Sequence, residues 1–143
     1  MNIKSKPESF TNKALVESQK SSSTQKDSPT IYNQISDKYD VRNATFGEII
    51  EISIALYEAG EISLKEHAVL TFDFEKATNN LKRIAPGHIS PDFNMHATSA
   101  NSSGQRDWIS EFGARAAKDF KFSNLIGYQS NTKVFDILER LSR

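Results

Sequence analysis

The spacing of apolar side chains predicts helices along most of the chain. Between Phe46 and Tyr57, apolar residues cover more than half of a helical wheel, which predicts a central helix with neighbours on more than one side. Residues 45–48, Thr-Phe-Gly-Glu, match a capping box at the start of this helix. Ile54 lies within the apolar arc, so we expect an Ile54→Asp change to abolish folding.

A second helix is predicted directly after the first. Gly60 is suited to end the central helix, because glycine readily takes a left-handed conformation. Residues 63–66, Ser-Leu-Lys-Glu, form a second capping-box match that opens a helix over about residues 64–71. With Ile62 packing the turn onto the core, this region predicts a helical hairpin.

Other segments also carry helical spacing or capping residues: 30–38, 73–85, 107–120 and 132–141, the last of which follows the N-cap candidates Asn131-Thr132. Gly113, inside the third of these, is expected to permit the close approach of a neighbour. No stretch alternates cleanly enough to predict a strand. The predicted fold class is therefore all-α: a small four- to five-helix domain over residues 31–143 that contains the helical hairpin.

Two segments lack these patterns. Residues 1–30 are rich in Ser and Lys and have few apolar side chains, which predicts a disordered N-terminal tail. Residues 86–104 hold Pro, Gly, Ser and Asn without periodicity. A loop of roughly 19 residues is long for a compact domain, and such loops are either functional or disordered.

Composition and charge exclude several classes of function. The chain has no cysteine, which excludes disulfides, thiolate nucleophiles, zinc ribbons and iron–sulfur clusters. Eighteen basic and 18 acidic residues leave no net charge, whereas proteins that coat nucleic acid need a basic surplus. Since the sequence shows neither a long apolar run nor a signal peptide, we expect no membrane partner and a cytoplasmic location.

The histidines and glycines match no cofactor motif. His67, His88 and His96 stand at spacings unlike those of zinc sites, and the glycines stand singly. We therefore expect no metal site and no cofactor.

The acidic side of the central helix is one candidate interaction face. Glu48, Glu51 and Glu58 share the polar side of the wheel. This row is either an ordinary solvated face or a docking strip for a basic partner. Catalysis by these carboxylates is not expected, because acid–base chemistry needs one partly desolvated group.

The long loop supplies an alternative hypothesis. If it acts as a lid in a small-ligand-binding protein or an enzyme, then His88, Asp92, His96 and Trp108 are the residues to test first. A nucleic-acid binder is a second alternative, although only Lys82 and Arg83 stand together in a predicted helix.

We consider a small non-enzymatic protein-interaction or regulatory protein the best hypothesis, with another protein or a second copy of the chain as partner. The hairpin from Leu56 through Gly60-Glu61-Ile62-Ser63 to Glu66 is similar to units of bacterial interaction and oligomerisation modules, and it resembles an EF-hand without calcium ligands. The tail resembles the Ser-rich leaders of bacterial secreted effectors, which would imply secretion instead of a cytoplasmic location.

Overall fold

A computed structural model describes residues 30–143, and the predicted disordered tail, residues 1–30, lies outside the described residues except for Thr30. Within that range the chain forms six helices and no strand, which confirms the all-α prediction. The described residues form six helices where four to five were predicted, because every one of the six segments with helical spacing or capping residues forms a helix. The helices are α1 (Ile31–Lys38), α2 (Phe46–Glu58), α3 (Leu64–Thr71), α4 (Phe74–Ile84), α5 (Trp108–Lys121) and α6 (Leu125–Leu141).

One hydrophobic core is shared by α1, α2, α3, α5 and α6. α5 and α6 make the most extensive helix–helix contact, as an antiparallel pair joined by a short turn. Phe112 on α5 is the largest fully buried side chain among the described residues. The buried apolar side chains that form this core are Tyr32, Ile35, Val41, Ala44, Ile49, Ile52, Leu56, Ile62, Leu70, Trp108, Ile109, Phe112, Val134, Leu138 and Leu141.

The predicted helical hairpin is α2 and α3, and both capping boxes form. The Glu48 amide donates to the Thr45 hydroxyl at 3.1 Å, and the Thr45 amide donates to the Glu48 carboxylate at 2.9 Å. At the start of α3 the corresponding distances with Ser63 are 3.1 and 2.8 Å. Gly60 takes a left-handed φ of 76° in the turn, and Ile62 is buried beneath it.

The central helix buries a narrower face than the apolar arc predicts. Ile49, Ile52 and Leu56 are fully buried, but Ile54 is 44% exposed. The reason is that α1 and α3 pack on one side of α2, whereas Ile54 follows Ile52 by two positions and lies on the other side. The expectation that Ile54 is essential for folding therefore loses its structural basis.

α6 begins earlier than its capping signal predicts. Asn124, not Asn131, is the N-cap, and its side-chain oxygen accepts from the Gly127 amide at 3.0 Å. The Asn131 side chain instead donates to Asp119 on α5 at 2.7 Å. Gly113 does permit a close approach, because a Cβ built there would lie 3.1 Å from the ring of Phe135 on α6.

α4 lies apart from the shared core. An amphipathic helix normally buries its apolar face, yet Leu81 and Ile84 are exposed and the polar Thr78 is buried. The Thr78 hydroxyl donates to the Phe74 carbonyl at 2.7 Å and accepts from the Met95 amide at 3.0 Å. The loop that follows α4 therefore holds this helix in place.

Candidate functional site

The three glutamates of the predicted acidic face differ in burial and in their hydrogen bonds. Glu48 is half-buried and forms the capping box of α2. Glu51 is exposed and accepts a hydrogen bond from the Tyr39 hydroxyl at 2.6 Å. Glu58 is exposed at the end of the helix. The structure thus leaves Glu51 and Glu58 at the surface and gives Glu48 a role in starting the helix.

The four residues proposed for the long loop fall into two places. His88 is exposed and lines a shallow surface cavity with Lys82, and Asp92 is exposed as well. His96 lies instead beside Trp108, with ring centroids 6.3 Å apart. Of the four residues, only His96 and Trp108 lie close together, so the four do not form one site.

Trp108 and His96 face different surroundings. Trp108 is buried in the core, and its indole nitrogen donates to the Ala44 carbonyl at 2.8 Å. The indole therefore has a structural role. His96 is half-buried; its Nδ1 lies 3.0 Å from the Asn94 side-chain oxygen, and its ring lies 5.6 Å from that of Phe74. Burial, assisted by the positive charge of Arg106, lowers the pKa of the His96 imidazole.

A buried carboxylate ties the long loop to α5. Glu111 is fully buried, and its two oxygens accept from the amides of Ala97 and Thr98, at 3.0 and 2.8 Å. The Thr98 hydroxyl also donates to it at 2.6 Å. Arg115 and Arg106 lie 2.7 and 3.7 Å from the same carboxylate. Burial alone would raise the pKa of Glu111, but these hydrogen bonds and the Arg115 charge outweigh burial and lower it.

A cleft opens beside this carboxylate between the loop, α5 and α6. It has a volume of about 340 Å³ and mostly apolar walls. Arg115 lies in its wall and is only 7% exposed; the guanidinium carbon lies 3.7 Å from the Phe74 ring centroid and 4.4 Å from that of Phe112. We call this feature the Arg115 cleft. Its lining residues are Phe74, Phe93, Asn94, Met95, His96, Ala97, Arg115, Lys118, Asp119 and Asn131.

A serine and a histidine also meet in the helical hairpin. The Ser53 hydroxyl lies 2.6 Å from Nδ1 of His67. A nucleophilic serine must reach its substrate, whereas Ser53 is fully buried. Within the described part of the chain no carboxylate hydrogen-bonds to His67, whose ring stacks on Tyr57 at 5.1 Å. This pair therefore serves the packing of α2 against α3.

Residues 30–143 hold no group of three His, Cys, Asp or Glu side chains placed to bind a metal ion. None of the helices in that range is both long and apolar enough to span a membrane.

The turn between α5 and α6 carries a group of exposed apolar side chains. Phe120, Phe122, Leu125 and Ile126 are between 60% and 72% exposed, although they stand within seven consecutive positions. We call these four side chains the turn surface. The ring of Phe120 packs on Tyr128, with centroids 5.3 Å apart, which fixes one edge of the surface.

Comparison with known proteins identifies no relative. No family model matches the chain, and no match was found among curated proteins or solved structures.

Sequence reasoning missed both the buried carboxylate and the turn surface. A wheel of α5 places Glu111 and Arg115 on the same face as Trp108 and Phe112, since these positions are three or four residues apart. A charged pair within an apolar face is the signal that would have indicated burial. The turn surface was missed because Phe120 ends the predicted segment 107–120 and the residues that follow it lie between two predicted helices.

Proposed function

We propose that this chain is a non-enzymatic interaction protein that docks onto another protein through the turn surface. The observation that carries the proposal is the exposure of four large apolar side chains at one turn. Contiguous apolar patches on soluble proteins are usually small, and larger ones rimmed by polar groups mark binding surfaces. The aromatic members suit this role, because aromatic side chains are enriched in protein–protein interfaces.

The backbone of the turn is held in one conformation. Ser123 adopts a left-handed φ of 61°, which costs about 1 kcal/mol for a residue other than glycine. The amides of Ser123 and Asn124 donate to the carbonyls of Phe120 and Asp119, at 3.1 and 2.8 Å. A surface that is fixed before binding loses less conformational entropy when the partner arrives, which favours affinity.

Charge near the turn indicates the kind of partner. Lys121 stands between Phe120 and Phe122, and its Nζ lies 5.9 Å from the Phe122 ring centroid. An apolar surface next to a lysine suits a partner that surrounds an apolar contact with acidic residues. A second copy of the chain offers such a surface on α2, where the exposed Ile54 and Tyr57 accompany Glu58.

Site-specific photo-crosslinking tests the proposal. The photoreactive residue p-benzoylphenylalanine replaces Phe122 in the full chain, and in a matched control it replaces Leu64, which is 64% exposed on α3. Irradiation in the native cells should give one discrete protein adduct from position 122 and none from position 64. An adduct with the mass of two chains would identify a second copy as the partner.

Variants then connect the adduct to the turn surface. Phe122→Ser and Ile126→Ser together should remove the partner without lowering the free energy of unfolding, because both side chains are exposed. The proposal is wrong if position 122 yields no more protein adduct than position 64. It is also wrong if the doubly substituted chain retains its partner.

A further inference from the structure

We propose that the Arg115 cleft binds a small organic monocarboxylate with a flat apolar body. This site is separate from the turn surface and does not depend on the docking function proposed above. The inference follows from the donors of Arg115, from the balance of charge around it and from the shape and chemistry of the walls.

Most N–H donors of the Arg115 guanidinium lack an acceptor among the described residues. Its Nε donates to Glu111 at 2.7 Å, whereas its two terminal nitrogens make no hydrogen bond to any residue of the range 30–143. These nitrogens carry four N–H groups on a side chain that is only 8% exposed. Buried donors are normally satisfied, and a guanidinium edge matches the two oxygens of a carboxylate.

The charges near the cleft favour an anion with a single charge. Arg106 and Arg115 share the buried carboxylate of Glu111, so one of the two positive charges is not neutralised there. Lys118 and Asp119 line the cleft and offset each other. These five groups together carry one positive charge in excess, which a monocarboxylate would balance. A dianion such as phosphate would reverse the excess within mostly apolar walls.

The walls suit a flat apolar body. Phe74, Phe93 and Met95 line the cleft, and the ring of Phe74 already lies against the Arg115 guanidinium. A volume of about 340 Å³ lies at the lower end of the range for small-molecule sites. A carboxylate attached to one aromatic ring therefore fits both the size and the chemistry of the cleft.

Titration of the unmodified full chain provides the first test. Benzoate is the probe, benzamide is its neutral counterpart of similar shape, and inorganic phosphate is the dianion control. Amide shifts in two-dimensional NMR should identify binding at residues 93–97 and at Asn131. We expect benzoate to bind at least tenfold more tightly than benzamide or phosphate. Comparable affinity for benzamide or tighter binding of phosphate would overturn the proposal, as would unchanged amide shifts at millimolar benzoate.

Variants provide a second test. Arg115→Lys should weaken benzoate binding at least tenfold, because lysine lacks the planar pair of donors. Since Arg115 also supports the fold, the exposed Lys118 is a safer target, and Lys118→Gln should weaken binding about two- to fivefold. Lys121→Gln, on the same helix but outside the cleft lining, should leave the affinity unchanged. Equal affinities for the Lys118 and Lys121 variants would contradict the site.

N-acetylphenylalanine separates two sources of the carboxylate. It carries the carboxylate of a protein C-terminus together with a peptide group, whereas benzoate represents a free small molecule. Tighter binding of N-acetylphenylalanine would assign the cleft to a chain terminus, and tighter binding of benzoate would assign it to a free ligand. Both results support a monocarboxylate site; binding of neither compound contradicts it.

Discussion

Nε of Arg115 donates to Oε2 of Glu111 at 2.7 Å, and the two side chains are only 8% and 0% exposed. They stand four residues apart on α5, a spacing that on a helix surface contributes only a few tenths of a kcal/mol. Burial changes the energetics, because a charge that loses its partner away from water is strongly unfavourable. The same carboxylate also accepts from the Ala97 and Thr98 amides, so it joins α5 to the long loop.

Replacing Glu111 by Leu should lower the free energy of unfolding by about 3–5 kcal/mol, because it leaves a buried guanidinium unpaired. Urea denaturation followed by circular dichroism measures this change. Glu58→Gln, an exposed carboxylate, is the control and should change stability by less than about 0.5 kcal/mol.

Replacing Glu111 and Arg115 together by Leu separates the ion pair from the loop contacts. Removing both charges should restore only part of the loss, since the amides of Ala97 and Thr98 still lack their acceptor and Arg106 still lacks its carboxylate partner. Full recovery in the double variant would show that the loop contacts contribute nothing to stability.

Acid should destabilise the fold in two steps. The pKa of His96 in the folded chain lies below its ordinary value of 6.5. As the pH falls below 6.5, the imidazole of the unfolded chain binds a proton more readily than that of the folded chain, so the free energy of unfolding decreases. The pKa of Glu111 in the folded chain lies below its ordinary value of 4.5. The stabilisation by the ionised Glu111 carboxylate is therefore complete above pH 4.5 and is lost as the pH falls from 4.5 through the lowered pKa. Urea unfolding between about pH 7 and pH 3 measures both steps.

Two variants assign these steps. Glu111→Gln should flatten the change in stability below pH 4.5, and His96→Asn should flatten the change that begins near pH 6.5. Unaltered slopes in either variant would assign that step to another group.

Two glycines should respond to alanine with opposite signs. A Cβ at Gly127 would lie 2.5 Å from the side-chain nitrogen Nδ2 of Asn124 and 2.7 Å from a side-chain oxygen of Asp119, so Gly127→Ala should displace the N-cap side chain of α6 and cost about 1 kcal/mol. A Cβ at Gly47 would lie 3.8 Å from its nearest neighbour, so Gly47→Ala should stabilise α2 by about 0.5–1 kcal/mol. Thermal melts compare the two, and changes of the same sign would contradict the account.

Ile54 and Ile52 provide a test of which face of α2 is buried. Ile54→Ala should change the free energy of unfolding by less than about 1 kcal/mol, because its side chain is 44% exposed. Ile52→Ala should cost about 2–5 kcal/mol, because its side chain is fully buried. Chemical denaturation of both variants checks the difference. Comparable losses would mean that Ile54 is covered in solution.

The sequence predicts the features of the fold that depend on a few adjacent residues. Both capping boxes and the left-handed Gly60 follow from groups that lie within four positions of one another. The start of α6 could not be read in this way. Asn131 has the composition of a cap, but Asp119 on α5 binds its side chain, and that contact depends on tertiary packing.

The candidate sites were less predictable for the same physical reason. His96 was proposed from the loop, and it does line the Arg115 cleft. Arg115, Lys118 and Asn131 come from two helices, and no spacing within one segment indicates that they converge on the loop. The turn surface depends on which side of α5 is left uncovered, which helical periodicity alone does not determine.

Because α4 lies outside the shared core, the free energy of local unfolding should differ between α4 and the other five helices. The five helices that share the core can separate only by exposing it, so their backbone amides should exchange with solvent mainly through global unfolding. α4 contributes no side chain to that core, and Glu111 fastens the chain beyond it. Residues 74–96, which precede this anchor, can therefore open as a unit while the bundle persists, which places the Lys82–Arg83 bond within reach of a trypsin-like protease in the folded protein.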